Sequence, residues 1–248
     1  MTAGRALATA RDPRGVVTFT IDDARTRNAL GTAALGRLER ALAGVGADPA
    51  ARVLILTGAG TVFSSGADRA EIGDPALVAS ATGLLAEILA RIENFPVPVV
   101  CRLNGPAFGA GLAIAAAADI AISVDDAAFG LPEVRFGLVA GPAAVTCVAR
   151  IGRAAGLDLL LTGRRFSAPE AHRLGLVTAV VDRDGLDDAV ESVIADLLAG
   201  DRAALAATRR LVRQLTPPPL PMALAAADEA VAIPGSAAVP PGQRGSDS

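Results

Sequence analysis

Residues 104–133 read NGPAFGAGLAIAAAADIAISVDDAAFGLPE, a glycine-rich turn that opens an apolar helix, followed by a strand and one carboxylate in an apolar setting. Gly109, Ala110 and Gly111 are small enough for an oxygen to approach the first N–H groups of that helix, where the dipole favours developing negative charge. Position 113, one turn into the helix, is Ala, and the carboxylate is Glu133. An oxyanion-type site paired with a lone carboxylate narrows the chemistry more than any other feature of the chain.

Working outward, strands and helices alternate. Residues 16–21 alternate as a strand, and 29–45 place Leu30, Ala34, Leu38, Ala41, Leu42 and Val45 at helical spacing. Residues 53–57 form a continuous apolar strand, followed by the loop GAGTVFSSGAD at 58–68. A helix is predicted over 75–94 and strands over 97–103, 120–124 and 177–181. Helical pieces are predicted over 140–150, 153–161, 187–198 and 203–215. Such alternation predicts an α/β fold with ligand-binding loops at strand ends, here 64–68 and 104–111.

Pro217, Pro218, Pro219 and Pro221 then break the chain before a short helical stretch at 221–232, and the end reads IPGSAAVPPGQRGSDS. The expected organisation is a core over 1–194, a helical C-terminal region over 195–232 and a disordered tail over 233–248.

The chain has 248 residues, 52% hydrophobic and 20% charged, with a formal net charge of −3. That balance offers no basic field for nucleic acid. Apolar stretches such as 112–118 fall short of a membrane span of about 20 residues, and the N-terminal residues lack a secretory core, so a cytoplasmic location is expected. Cys101 and Cys147 lie in apolar runs and are expected to be buried free thiols. His172 is the single histidine; it reads as structural at a helix end, and no metal site is expected.

Five segments, ARTRNAL (24–30), VFSSGADRAEI (62–72), PVPVVCRLNGPAFGAGLAIAAAADIAI (96–122), FGLPEVRFGL (129–138) and LTGRRFSAPEAHRLGLV (161–177), resemble the crotonase superfamily, the enoyl-CoA hydratase/isomerase family. The resemblance covers most of residues 15–215. It implies a spiral of repeated ββα units with a C-terminal helical oligomerisation region, in a homotrimer or a dimer of trimers. It also implies a coenzyme A thioester as substrate, with no separate cofactor.

Position by position, the resemblance makes the backbone N–H groups of Ala67 and Ala110 the oxyanion donors and Glu133 the acid–base residue. It implies substrate or CoA contacts from Arg25, Arg27, Ala29, Ser64, Ser65, Gly66, Asp68, Gly109 and Pro132. Asp68 and Asp119 read as structural, the latter holding a helix end, and Glu71 reads as a solvated face. Hydratases of this family use two carboxylates, and the second maps to Ala113. The expectation is therefore double-bond isomerisation by Glu133 alone. The alternatives are a hydratase with one carboxylate missing, and a catalytically silent acyl-CoA-binding protein.

Overall fold

A computed structural model describes residues 7–215. The chain runs through β1 (Ala8–Arg11), β2 (Val16–Ile21), α1 (Thr32–Gly46), β3 (Val53–Gly58), α2 (Pro75–Glu93), β4 (Val99–Leu103), β5 (Ala107–Phe108) and α3 (Ala110–Ala117). There follow β6 (Ile120–Val124), β7 (Ala128–Gly130), a 3-10 turn (Glu133–Phe136), α4 (Gly141–Thr162), β8 (Arg165–Ser167), α5 (Ala168–Arg173), β9 (Ala179–Val181), α6 (Leu186–Ala199) and α7 (Arg202–Gln214).

The main sheet has the order β1-β2-β3-β4-β6-β9, with β1 antiparallel to β2 and every other pairing parallel. Parallel strands covered on both faces need continuous apolar runs, and β3 is buried at every position. The register places Leu56, Cys101 and Ala121 side by side across the centre. A smaller sheet of β5-β7-β8 is extended by a single bridge between Ser64 and Ala107.

Three times the chain passes from a main-sheet strand to a short segment in this second layer and then to a helix. The sets are β3, Ser64 and α2; β4, β5 and α3; and β6, β7 and α4. This is the expected spiral of ββα units. Sequence reading missed β1, β5, β7 and β8, which have two to four residues each and no room for a periodic pattern.

Local sequence explains the helices. Leu35, Leu38 and Leu42 are the buried stripe of α1. Asp74 caps α2, accepting from the amides of Ala76 and Leu77, with Pro75 in the first turn. By length and composition α2 could cross a membrane, contrary to the expectation for this chain; here Leu85, Ile88, Leu89 and Ile92 bury its second half in the core. Every residue of α3 is buried, and its small side chains permit that. The two helical pieces expected over 140–161 are the halves of α4, which bends at Gly152. Helix α6 runs unbroken across residue 195 and places Leu186, Val190 and Ile194 in the core. The expected helix at 221–232 and tail at 233–248 lie outside the described residues.

Asp119 is structural, but it does not cap α3. The carbonyls at that end are taken by Arg150, which donates to Ala116 and Ala118. Asp119 instead accepts from the Val99 amide at 2.7 Å and from Arg209 and Arg213 at 2.7 and 2.9 Å, tying α7 to the start of β4. Asp119→Ala takes from the largely buried Arg209 its carboxylate partner and leaves Arg213 only Glu93, which should cost about 3 kcal/mol, read as a lower urea midpoint.

Candidate active site

The loop after β3 and the turn before α3 meet through backbone, because neither leaves room for a side chain. Gly66 has φ +88°, and a β-carbon there would lie 2.8 Å from the Phe108 carbonyl oxygen. Gly109 has φ +49°, and a β-carbon there would lie 2.5 Å from Glu133 Oε1. Both backbones occupy the region that favours glycine, so bulk and conformation make the same demand. Beside these glycines, the amides of Ala67 and Ala110 donate to no acceptor among the described residues. For Ala110, the first residue of α3, the helix itself supplies no acceptor.

Glu133 opens the 3-10 turn after β7. Its Oε2 is buried without a hydrogen-bond partner. Burial pushes the carboxyl up to about 7, opposed only by its own backbone N–H. A group so placed can both take and return a proton near neutral pH.

Two cavities share this corner. The larger, of about 570 Å³, is lined by Arg25, Arg27, Ala29, Ser65, Gly66, Ala67, Asp68, Gly109, Pro132 and Glu133, and also by Arg69, Phe108, Arg135, Phe136 and Arg165. The smaller, of about 90 Å³, is apolar and reaches inward past Ala67, Ala110 and Glu133 to Leu30, Leu35, Val78, Leu85 and Pro142. Ala67, Asp68, Ile72, Glu133 and Leu138 lie on both walls, so the acid and one free amide sit where the spaces join. A roomy basic chamber leading to a narrow apolar one suits a ligand with an anionic body and an apolar end.

Residues 11–235 match the sequence profile described as enoyl-CoA hydratase/isomerase. The chain belongs to the enoyl-CoA hydratase/isomerase family. A probable enoyl-CoA hydratase of Mycobacterium bovis is 32% identical over 206 residues, 79% of this chain and 72% of that protein. Among solved structures, an enoyl-CoA hydratase from Mycobacterium avium subsp. paratuberculosis superposes with a TM-score of 0.84 at 30% identity, covering 93% of this chain and 94% of that one. An enoyl-CoA hydratase/isomerase from Xanthobacter autotrophicus gives 0.85 at 28% identity, covering 95% and 90%.

This hydratase/isomerase family enzyme brings the expected site residues together with one exception. Ser64 lines neither cavity; it is fully buried, and its hydroxyl is committed to the Asn28 carbonyl and the Gly66 amide. Arg25 projects into solvent, its side chain 91% exposed. Asp68 closes its own turn by accepting from the Ala70 amide. Glu71 is no solvated face: both its oxygens accept from the Thr32 amide, capping α1, whose Gly31 has no side chain to do so. Ala113 is fully buried in the core.

His172 is structural, with Nδ1 3.2 Å from the Val177 carbonyl. Both cysteines are buried free thiols. No group of three or more metal-ligating side chains occurs among the described residues.

Sequence reading missed Arg69 and Arg165, whose guanidinium groups lie 5.5 and 5.3 Å from the ring centres of Phe136 and Phe108. Neither is ion-paired among the described residues, whereas neighbouring Arg164 bridges Asp158 and Glu170. Adjacent arginines in GRRF give no sign of which one turns to the cavity.

The raised carboxyl of Glu133 makes native stability depend on pH. In the unfolded chain it ionises from its ordinary value of 4.5, in the native enzyme only near 7. The unfolded state therefore releases the proton first, and native stability falls as pH rises from 4.5 to 7, by up to about 3 kcal/mol. Glu133→Gln cannot ionise and removes this dependence. Its Tm should gain on wild type as pH rises through that window, as thermal melts at a series of pH values would show.

Proposed function

We propose that this enzyme shifts a double bond in an enoyl-CoA thioester, with Glu133 as its single acid–base residue. The observation that carries this reading is the isolation of Glu133. The other carboxylates on the cavity walls are Asp68 and Glu71, and backbone amides already hold both. The position of the family's second carboxylate holds the buried methyl of Ala113. Hydration needs one group to activate water and another to protonate carbon; isomerisation needs one group that removes a proton from carbon and then returns it.

In the proposed mechanism the thioester oxygen accepts hydrogen bonds from the amides of Ala67 and Ala110. Glu133 removes a proton from C2 of a 3-enoyl-CoA, the electron pair moves towards that oxygen, and the double bond re-forms between C2 and C3 as the proton is returned at C4. The amides strengthen their hold as charge develops, which lowers the barrier rather than merely binding substrate. The apolar cavity takes the acyl chain, and the free guanidinium groups of Arg69 and Arg165, with Arg25 and Arg27, meet the CoA phosphates.

Mass-spectrometric analysis of a panel of 3-enoyl- and 2-enoyl-CoA thioesters tests the reading. Isomer should form, and Glu133→Gln should lower its rate by about 10²–10⁴; full activity in that variant removes Glu133 from the mechanism. The names of the relatives favour hydration as a second reading, and there the product would be heavier by one water. CoA-ester binding with no product anywhere in the panel would overturn both.

A trimer or dimer of trimers belongs to the same proposal. Leu157 and Leu161 on α4, and Leu211, Val212 and Leu215 at the end of the described chain, are apolar and exposed. Light scattering on the full chain should give three or six copies; a monomer would refute the assembly.

A further inference from the structure

We infer that Ser64 is a positioning residue that sets the separation of the Ala67 and Ala110 amides, an inference that rests on the oxyanion reading of those two groups. Ser64 is fully buried and lines neither of the two cavities, yet it is joined to both segments that carry the donors. Towards α3, its amide donates to the Pro106 carbonyl at 3.2 Å and its carbonyl accepts from the Phe108 amide at 3.1 Å. Its side chain also forms the seat of the first turn of α3, since a β-carbon on Gly111 would lie 2.6 Å from Ser64 Cβ.

Towards Ala67, the Ser64 hydroxyl donates to the Asn28 carbonyl at 2.8 Å and accepts from the Gly66 amide at 3.1 Å. The Gly66 carbonyl accepts from the Leu30 amide at 2.8 Å, so the residue before Ala67 is held at both its polar groups. The Asn28 carbonyl is itself a fixed point. Arg27 and Asn28 take φ values of 57° and 60°, a rare conformation for side-chain-bearing residues, and the Asn28 side chain locks it there. Its Nδ2 donates to the Ala59 and Val62 carbonyls at 3.0 and 2.7 Å, while Oδ1 accepts from the Asp23 amide at 3.0 Å.

The sequence of bonds thus runs from Asn28 through one hydroxyl to Gly66, and from the same residue's backbone into the turn before α3. A hydroxyl can donate and accept at once and is small enough to leave α3 seated. Removing it leaves the buried Gly66 amide without its acceptor and lets the peptide before Ala67 turn. Such a shift changes the grip on the thioester oxygen without altering the arginines of the larger cavity or the apolar side chains of the smaller one.

The test uses the full-length enzyme, Ser64→Ala and Ser64→Cys, and a saturated acyl-CoA labelled with ¹³C at the thioester carbonyl. Infrared difference spectra of the bound thioester should show the carbonyl band of the wild type shifted to lower frequency. In Ser64→Ala part of that shift should be lost, with kcat down about tenfold and KM within about twofold. A residue that only supported folding would lower the melting temperature and leave the band of the bound, folded enzyme in place.

No band shift in the wild type would defeat the oxyanion reading itself. A shifted wild-type band with an unchanged band and kcat in Ser64→Ala would overturn the Ser64 inference alone. Should Ser64→Ala not fold, Ser64→Cys decides. Its larger sulfur and weaker donor should give an intermediate shift and kcat, and wild-type values for both would overturn the inference.

Discussion

The Glu133 carboxylate occupies space that a side chain on Gly109 would need, and much of the site follows from that contact. With only hydrogen at Gly109, the acid reaches the backbone at the N-terminus of α3, with Oε2 buried and unpartnered. Burial, opposed only by its own backbone N–H, is what lifts its ionisation towards neutrality. The same absence of a side chain leaves the Ala110 amide open beside it. Bulk at Gly109 would therefore move the acid, its ionisation and the amide together.

The winding of the chain explains how these groups come to one place. The first ββα turn ends its second-layer segment at Ser64, three residues before Ala67. In the second turn, β5 ends at Phe108, two residues before Ala110. The third turn's β7 ends at Gly130, three residues before Glu133. Ser64, Ala107 and Phe129 are successive neighbours across the small sheet. Each turn of the spiral delivers one group, and the ladder of the small sheet sets their separation. The larger sheet, with its buried parallel strands, supplies the rigidity behind them.

Charge is partitioned in the same spirit. The chain as a whole is mildly acidic, with a formal net charge of −3, yet the wall of the larger cavity carries Arg25, Arg27, Arg69, Arg135 and Arg165 against Asp68 and Glu133. Most other arginines are engaged elsewhere: Arg164 with Asp158 and Glu170, Arg183 with Asp126, and Arg209 and Arg213 with Asp119. Arg69 and Arg165 lie over aromatic rings instead, which holds a guanidinium in place while leaving its N–H groups available. Net charge alone conceals this local basic surface.

The sequence by itself determined the α/β class, most helices and long strands, the buried thiols and the segments that meet around Glu133. These features are written locally, in apolar periodicity, in Gly-rich turns and in the residues that match a known family. Only the tertiary structure decided that Ser64 stands behind the cavity, that Glu71 caps α1, that Asp119 anchors α7, and that Arg165 rather than Arg164 faces the ligand space. Each of those roles depends on a partner from another element, such as Asn28 for Ser64 or Thr32 for Glu71. Local pattern reports which side chains a segment offers; a hydrogen bond across the fold needs to know where its partner lies, and that distance exists only once the spiral has closed.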